Sequence, residues 1–256
     1  MLRAMPTRAT QTLREHLREA PFSLAMSSGF FGFFAHAGFL SVLEDEGLLP
    51  RRVTGSSAGA LVGALWSAGL DAGALEAELR RLRRADFWDP SPGYGLLRGA
   101  LFRQKLEALL PRSSFDGGRA TLAISVFDVL GRRTRVVDRG PLAAAIHASC
   151  AVPLLFHPVA IDGRPTVDGG VADRPGLAGM PRGERVLFHH LTSRSPWRTK
   201  SSMGAPRRAG MVTLAIDGLP RVGPFRLEQG PRAFEAARRA TRVALDRPAT
   251  DLLRVR

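Results

Sequence analysis

The chain has 256 residues, 45% hydrophobic and 23% charged, which supplies the core of one packed domain and excludes disorder by composition. Its single cysteine, Cys150, excludes an intrachain disulfide and a cysteine-based zinc site. The net charge of +14 would attract nucleic acid or an anionic membrane, but the arginines are scattered, as arginine-rich codon usage also leaves them, and no nucleic-acid-binding motif accompanies them.

Residues 1–20 read as a basic N-terminal segment and residues 21–256 as one domain. The stretch from Ala20 to Leu43 contains no Asp, Glu, Lys or Arg, is long enough for a membrane span, and includes Ala35-His36-Ala37, which mimics a signal-peptidase site. Both readings are rejected. Ser27-Ser28-Gly29 and Gly32 interrupt the apolar run, and Glu15 and Glu19 sit in what would be the leader. With neither signal nor span, the expected location is cytoplasmic or peripheral to a membrane.

Phe22 to Met26 is predicted to be a short buried strand, followed by a Ser/Gly/Phe turn. His36, Phe39, Leu40 and Leu43 recur at helical spacing until Gly47. RRVT (Arg51 to Thr54) predicts a second strand, and Ala58 to about Ala68 a helix. Asp71 can cap a further helix whose end is basic at Arg80, Arg81, Arg83 and Arg84. Asp86 to Gly95 is an aromatic loop. ATLAISVFDV and RRTRVV read as neighbouring strands, and Pro141 opens a helix ending near Ser149. Strands are predicted at ERVLFHHL and MVTLAI, and EQGPRAFEAARRATRVAL as a closing amphipathic helix. Strands alternating with helices predict an α/β fold of three layers, with a mostly parallel sheet between helices.

Gly55-Ser56-Ser57-Ala58-Gly59, between a strand and an apolar helix, fits G-x-S-x-G. In a nucleophile elbow the central serine sits on a strained turn, flanking glycines avoid clashes, and the next helix points its amides at the reaction centre. The other reading is a tight turn with a capping serine. A nucleophilic serine needs a base. Asp168, followed by Gly169 and Gly170, is one candidate, and Asp173 lies further on; an ordinary Asp-Gly turn is the alternative.

Together these stretches resemble the patatin-like phospholipases and acylhydrolases. In that family a serine in G-x-S-x-G and an aspartate in D-G-G/A form a dyad without histidine. Gly55 to Gly59 and Asp168-Gly169-Gly170 match in the right order, and ASCAVPLLFHPVAIDGRPTVDGG is similar to the segment leading to the family's aspartate. The resemblance runs from about Phe22 to Leu245. It implies Ser57 as nucleophile, Asp168 as base, a lipid or membrane-surface substrate and no cofactor or metal. It also implies a loop, usually G-G-G-x-R/K-G, whose amides hold the oxyanion. Ser27-Ser28-Gly29-Phe30-Phe31-Gly32 takes that place, with Ser28, Gly29 and Phe30 as candidate donors and Gly32 retained. Serines replace the first two glycines, and Phe31 replaces the basic residue; the Gly-Phe-x-Gly form resembles the triacylglycerol-lipase branch.

Two other readings compete: a non-catalytic lipid binder on the same fold, motivated by the altered loop, and a Ser-Asp-His triad using His189 or His190. Against the triad, VLFHHL reads as a strand, which points the two rings to opposite faces. His36 and His157 read as structural. Phe87, Trp88, Tyr94 and Phe102 form either a lid or acyl-binding flap, or the packing of a loop. Arg232, Arg238, Arg239 and Arg242 of the last helix form a solvated face or touch anionic headgroups. No nucleic-acid partner is expected.

Overall fold

Runs in which nearly every residue is apolar suit strands buried on both faces of a parallel sheet. SLAM and MVTLAI are buried throughout in the folded chain. The computed structural model describes residues 11–192 and 204–256. Its first third forms α1 (Leu13–Glu19), β1 (Ser23–Met26), α2 (Phe33–Asp45), β2 (Arg52–Ser56), α3 (Ala58–Ser67) and α4 (Ala72–Arg81). Then come β3 (Gly95–Leu97), α5 (Ala100–Leu109), β4 (Thr121–Asp128), β5 (Arg133–Val137) and α6 (Leu142–Cys150). The rest comprises β6 (Leu154–Phe156), β7 (Val159–Ile161), β8 (Arg164–Asp168), β9 (Val186–Leu191), β10 (Met211–Ile216), α7 (Gly230–Leu245) and β11 (Leu252–Val255).

Among the described residues the main sheet runs β11-β10-β9-β1-β2-β4-β8-β7, with β5 also on β4. The pairs from β11 through β1 and β2 to β4 are parallel, whereas β5 and β8 join β4 antiparallel and β7 joins β8 antiparallel. The larger core includes Leu24 and Met26 of β1 together with Phe39, Val62, Ile146 and Phe234 of the helices. Ala25 and Phe188 belong to a smaller cluster with Met180, Val186 and Met211. Alternation along β1 sends Leu24 and Met26 to one face and Ala25 to the other. The Ala25 face is covered by Met180 and Leu177 of the chain after β8, and the architecture is of the three-layer α/β/α class, as predicted.

The charge-free stretch becomes β1, a turn and α2. Helix α2 begins at Phe33, earlier than its spacing suggests, and from Phe34 to Leu43 every residue is buried. It is packed by α7, α3 and α4 around it, which is why its composition imitates a span. No described helix is long and apolar enough to cross a membrane. Of the basic N-terminal segment, residues 1–10 lie outside the described residues. Residues 13–19 form α1, started by a Thr12–Glu15 capping box and docked through Leu13 and Leu17.

Strand register decides where the site forms. Strand β2 runs beside β4 as far as Ser56, opposite Ser125. The next residue of β4, Val126, is opposite Asp168 of β8. Strand β5 pairs with β4 across both stretches, Ile124 to Asp128, so β2 and β8 share the other edge of β4. β8 thus takes over the edge where β2 turns away, and its last residue arrives beside Ser57.

Helix α7 reads as amphipathic, and Ala233, Phe234, Ala237 and Ala244 are buried. Phe234→Ala should therefore lower the unfolding free energy in urea by about 3–5 kcal/mol. Arg239→Ala on the exposed face should change it by less than about 0.5 kcal/mol. Equal effects would show that α7 is not docked as described.

Candidate active site

Ser57 ends the strand-to-helix turn with φ 52° and ψ −118°, a sparsely populated conformation for a residue with a side chain. The surroundings determine it. Its N–H donates to Ser149 Oγ at 2.9 Å, and that hydroxyl donates to Ser125 O at 2.7 Å. Its carbonyl accepts the first bond of α3 from Leu61 N–H at 2.9 Å. Gly59 lets α3 approach β1, since a Cβ there would overlap the Met26 carbonyl. A Cβ at Gly55 would likewise overlap the backbone of Gly59 and Ala60.

Asp168 closes β8, anchored by its N–H to Ala151 O at 2.9 Å. Its Oδ1 accepts from Gly170 N–H at 2.7 Å, and its Oδ2 accepts from Ser57 Oγ at 2.6 Å. Both side chains are buried. A direct bond this short leaves no room for an imidazole between serine and carboxylate. A Cβ at Gly169 would overlap the Ser125 carbonyl, so the handover on β4 needs glycine immediately after the aspartate. Gly170 lies against the Ser28 side chain.

The loop after β1 stands beside the serine because Met26 is paired with Gly55. Ser27 and Ser28 are absent from the residues with positive φ, so serine costs no backbone strain there. Ser27 Oγ accepts from Leu191 N–H at 2.9 Å, and its carbonyl is 2.7 Å from His36 Nε2. One expectation needs correction: Ser28 N–H already donates to Arg174 O at 2.7 Å, so it is not available to an oxyanion. The amides of Gly29 and Phe30 have no acceptor among the described residues. Gly32 N–H closes the turn onto Gly29 O at 2.8 Å, and Gly29 and Gly32 both face Leu191.

His36 and His189 lie under this loop, fully buried, with their Nδ1 atoms 2.9 Å apart. Because His36 Nε2 faces a carbonyl, it carries the proton, and its Nδ1 accepts. His189 Nδ1 is then the donor. Burial lowers the His36 pKa to about 4, helped by the nearby charges of His190 and Arg174 and opposed by the bond to Ser27. Burial, then His36 and His190, push His189 well below the usual value. The His190 ring lies on the other face of β9, its Nδ1 3.5 Å from Arg174 Nη1. His157 Nε2 faces the Ser91 and Gly95 carbonyls, a structural role.

Three further groups take part that sequence reasoning left without a role. Ser149, within the segment leading to the aspartate, holds the Ser57 amide. Cys150 Sγ donates to Ser57 O at 3.4 Å, and burial followed by the Asp168 charge raises its thiol pKa well above normal. Asp173 binds Ser125 Oγ at 2.6 Å and the amides of Leu177 and Ala178, so it closes a loop and is not a second base. The aromatic residues of the central loop separate. Phe87 is buried against Phe31, and Phe102 packs on His147 and Phe156. Trp88 meets Phe225, and Tyr94 is 87% exposed.

A family model described as Patatin-like phospholipase matches residues 24–179. An uncharacterized NTE family protein of Mycobacterium tuberculosis is 32% identical over 154 residues, covering 59% of this chain and 43% of that protein. One of Mycobacterium bovis is 29% identical over 154 residues, covering 58% of this chain and 26% of that protein. The matched region thus spans less than half of these relatives. VipD from Legionella pneumophila superimposes with a TM-score of 0.64 at 14% identity, covering 88% of this chain and 67% of VipD; this likeness is one of fold.

The buried histidines make stability depend on pH. Their folded pKa values lie below the unfolded value near 6.5, so between pH 6.5 and about 4 the unfolded chain binds more protons, and stability is lost as the pH falls through that window. His147, lowered to about 4 chiefly by burial and then by Arg103, acts in the same window. Urea unfolding should show this slope, and His36→Gln should flatten it. A wild-type profile that is level from pH 6.5 to 4.5 would refute the assignment.

Proposed function

Since the chain belongs to the patatin-like phospholipase family, we propose that it is a serine acylhydrolase cleaving lipid acyl esters through a Ser57–Asp168 dyad. The observation that carries this reading is the 2.6 Å bond from Ser57 Oγ to Asp168 Oδ2 on a strained turn. Ser57 Oγ attacks the ester carbonyl while its proton passes to Asp168 Oδ2. The carbonyl oxygen becomes an oxyanion, held by the amides of Gly29 and Phe30. One such donor typically contributes about 10²–10³ in rate. Collapse expels the alcohol, which takes the proton from Asp168, and leaves an acyl-serine. Asp168 then draws a proton from water as that water attacks the acyl carbon; the second collapse releases the fatty acid and returns the proton to Ser57. Each step balances without metal or cofactor.

The substrate is a lipid presented at a membrane surface, where the chain acts as a peripheral enzyme. The lipid-binder reading is weakened, because Ser27 and Ser28 have no positive φ and, among the described residues, the amides of Gly29 and Phe30 have no acceptor; the replacement of the loop's basic residue by Phe31 still speaks for it. The triad reading is disfavoured by the His36–His189 pairing, which engages one candidate ring away from Asp168.

Ser57→Ala and Asp168→Asn should each reduce hydrolysis of a short-chain nitrophenyl ester by about 10³-fold or more with the fold intact. A fluorophosphonate probe should label wild type and not Ser57→Ala. His189→Gln and His190→Gln should each keep activity within about tenfold, or ~1.4 kcal/mol in barrier. Undiminished turnover by Ser57→Ala would remove the dyad, and loss of activity in a folded histidine variant as complete as in Ser57→Ala would replace it with a triad.

A further inference from the structure

Beside the site lies a groove of about 270 Å³ whose lining includes Tyr94, Val129, Leu154, Val167 and Val171. Its walls adjoin the dyad in sequence: Val167 precedes Asp168, and Val171 follows Gly170. Four of these side chains face solvent, with Tyr94 87%, Leu154 79%, Val171 43% and Val129 38% exposed, and the neighbouring Leu130 is 69% exposed. Large apolar groups gathered at one rim, rather than scattered singly, mark a surface that meets something apolar.

Leu154 sharpens the point. It has φ 67°, a conformation that favours glycine and is unfavourable for leucine. It makes no use of the core, since most of its side chain faces solvent. Neither backbone geometry nor internal packing therefore asks for a leucine there.

The charges nearby select the partner. Arg132 ends the β4–β5 turn that carries Leu130, Arg133 opens β5, and Arg98 follows β3. All three are exposed, and among the described residues none forms an ion pair. Asp128, the carboxylate of that turn, is neutralised by Arg164 at 2.7 Å. The rim thus offers apolar side chains beside unpaired arginines. That is complementary to the boundary between acyl chains and anionic headgroups, where binding grows with buried apolar area and with cationic charge.

We propose that the rim formed by Tyr94, Val129, Leu130, Leu154 and Val171, with Arg98, Arg132 and Arg133, is the surface by which the protein docks on an anionic lipid bilayer. The inference rests on the acylhydrolase reading for its purpose, since docking here would bring the dyad to its ester. The test nevertheless reads binding alone.

The full chain carrying Ser57→Ala, which cannot turn over lipid, is floated with vesicles of phosphatidylcholine and phosphatidylglycerol. It should float with them, and less with phosphatidylcholine alone. Adding Leu154→Gly and Tyr94→Ser should weaken partitioning by about tenfold or more. Glycine at position 154 relieves the positive φ, so thermal unfolding should be unchanged or raised, which separates lost docking from lost fold. Arg132→Glu with Arg133→Glu should abolish the preference for anionic vesicles, and Val243→Ser on α7 should change nothing. No flotation, undiminished flotation of the Leu154→Gly/Tyr94→Ser chain, or light scattering that shows a dimer dissolved by those substitutions would overturn the proposal. Flotation as expected with a wild type inactive on every ester would leave the docking surface standing and remove the acylhydrolase reading.

Discussion

Everything at the site depends on one edge of β4. A strand has two edges, and β5 occupies one of them along Ile124–Asp128. The other is divided between β2, ending opposite Ser125, and β8, whose last residue is opposite Val126. Two chain segments more than a hundred residues apart thus meet end to end on a shared hydrogen-bond ladder. Their reactive residues meet because both strands end there. The strain at Ser57, the glycine after Asp168 and the Ser149 hydroxyl under the Ser57 amide all serve that junction. Backbone strain of this kind costs about 1–3 kcal/mol and persists only where neighbours over-determine it.

The loop after β1 is held by different means. Its first residue is fixed by a buried polar chain running from His189 through His36 to the Ser27 carbonyl, with the Leu191 amide on the Ser27 hydroxyl. Such groups are expensive to bury unless paired. His36 Nε2 is paired with the Ser27 carbonyl and the Ser27 hydroxyl with the Leu191 amide, so part of the energy of satisfying the chain is tied to the loop's position, while His189 Nε2 has no partner among the described residues. Arg174 contributes its carbonyl to the same end by accepting from Ser28 N–H. Beyond Ser28, the backbone turns so that the amides of Gly29 and Phe30 have no acceptor among the described residues.

The large positive charge is distributed, and much of it is locally answered. Arg238 and Arg242 of α7 share Asp45, and Arg80 meets Glu76 and Glu235. Exposed pairs of this sort contribute little to stability, about 0–1 kcal/mol each. They show, however, that α7 presents part of its arginine face to carboxylates of its own chain. The exposed arginines beside the groove, Arg98, Arg132 and Arg133, form no ion pair among the described residues and differ in that respect.

The sequence by itself determined the layers, the buried strands, the cap at Asp71 and the two motifs, because these follow from local periodicity and from residues that few backbone geometries accept. Helix α5 and strands β3, β6, β7, β8 and β11 were not predicted from it. These strands are short, and several alternate too little for a period to stand out. A resemblance named Ser57 and Asp168, but their contact could not be read from spacing, since it follows from which strands share an edge. The Ser28 amide was misassigned for the same reason: a motif lists the residues of a loop, whereas the acceptor that occupies one amide, Arg174 O, comes from another part of the chain. From sequence His36 read as structural and His189 as a candidate triad base; their pairing appeared only once the fold set their Nδ1 atoms 2.9 Å apart. Side-chain type and local conformation are properties of neighbours in sequence; hydrogen-bond partners across the sheet are properties of neighbours in space, and only the tertiary structure decided those.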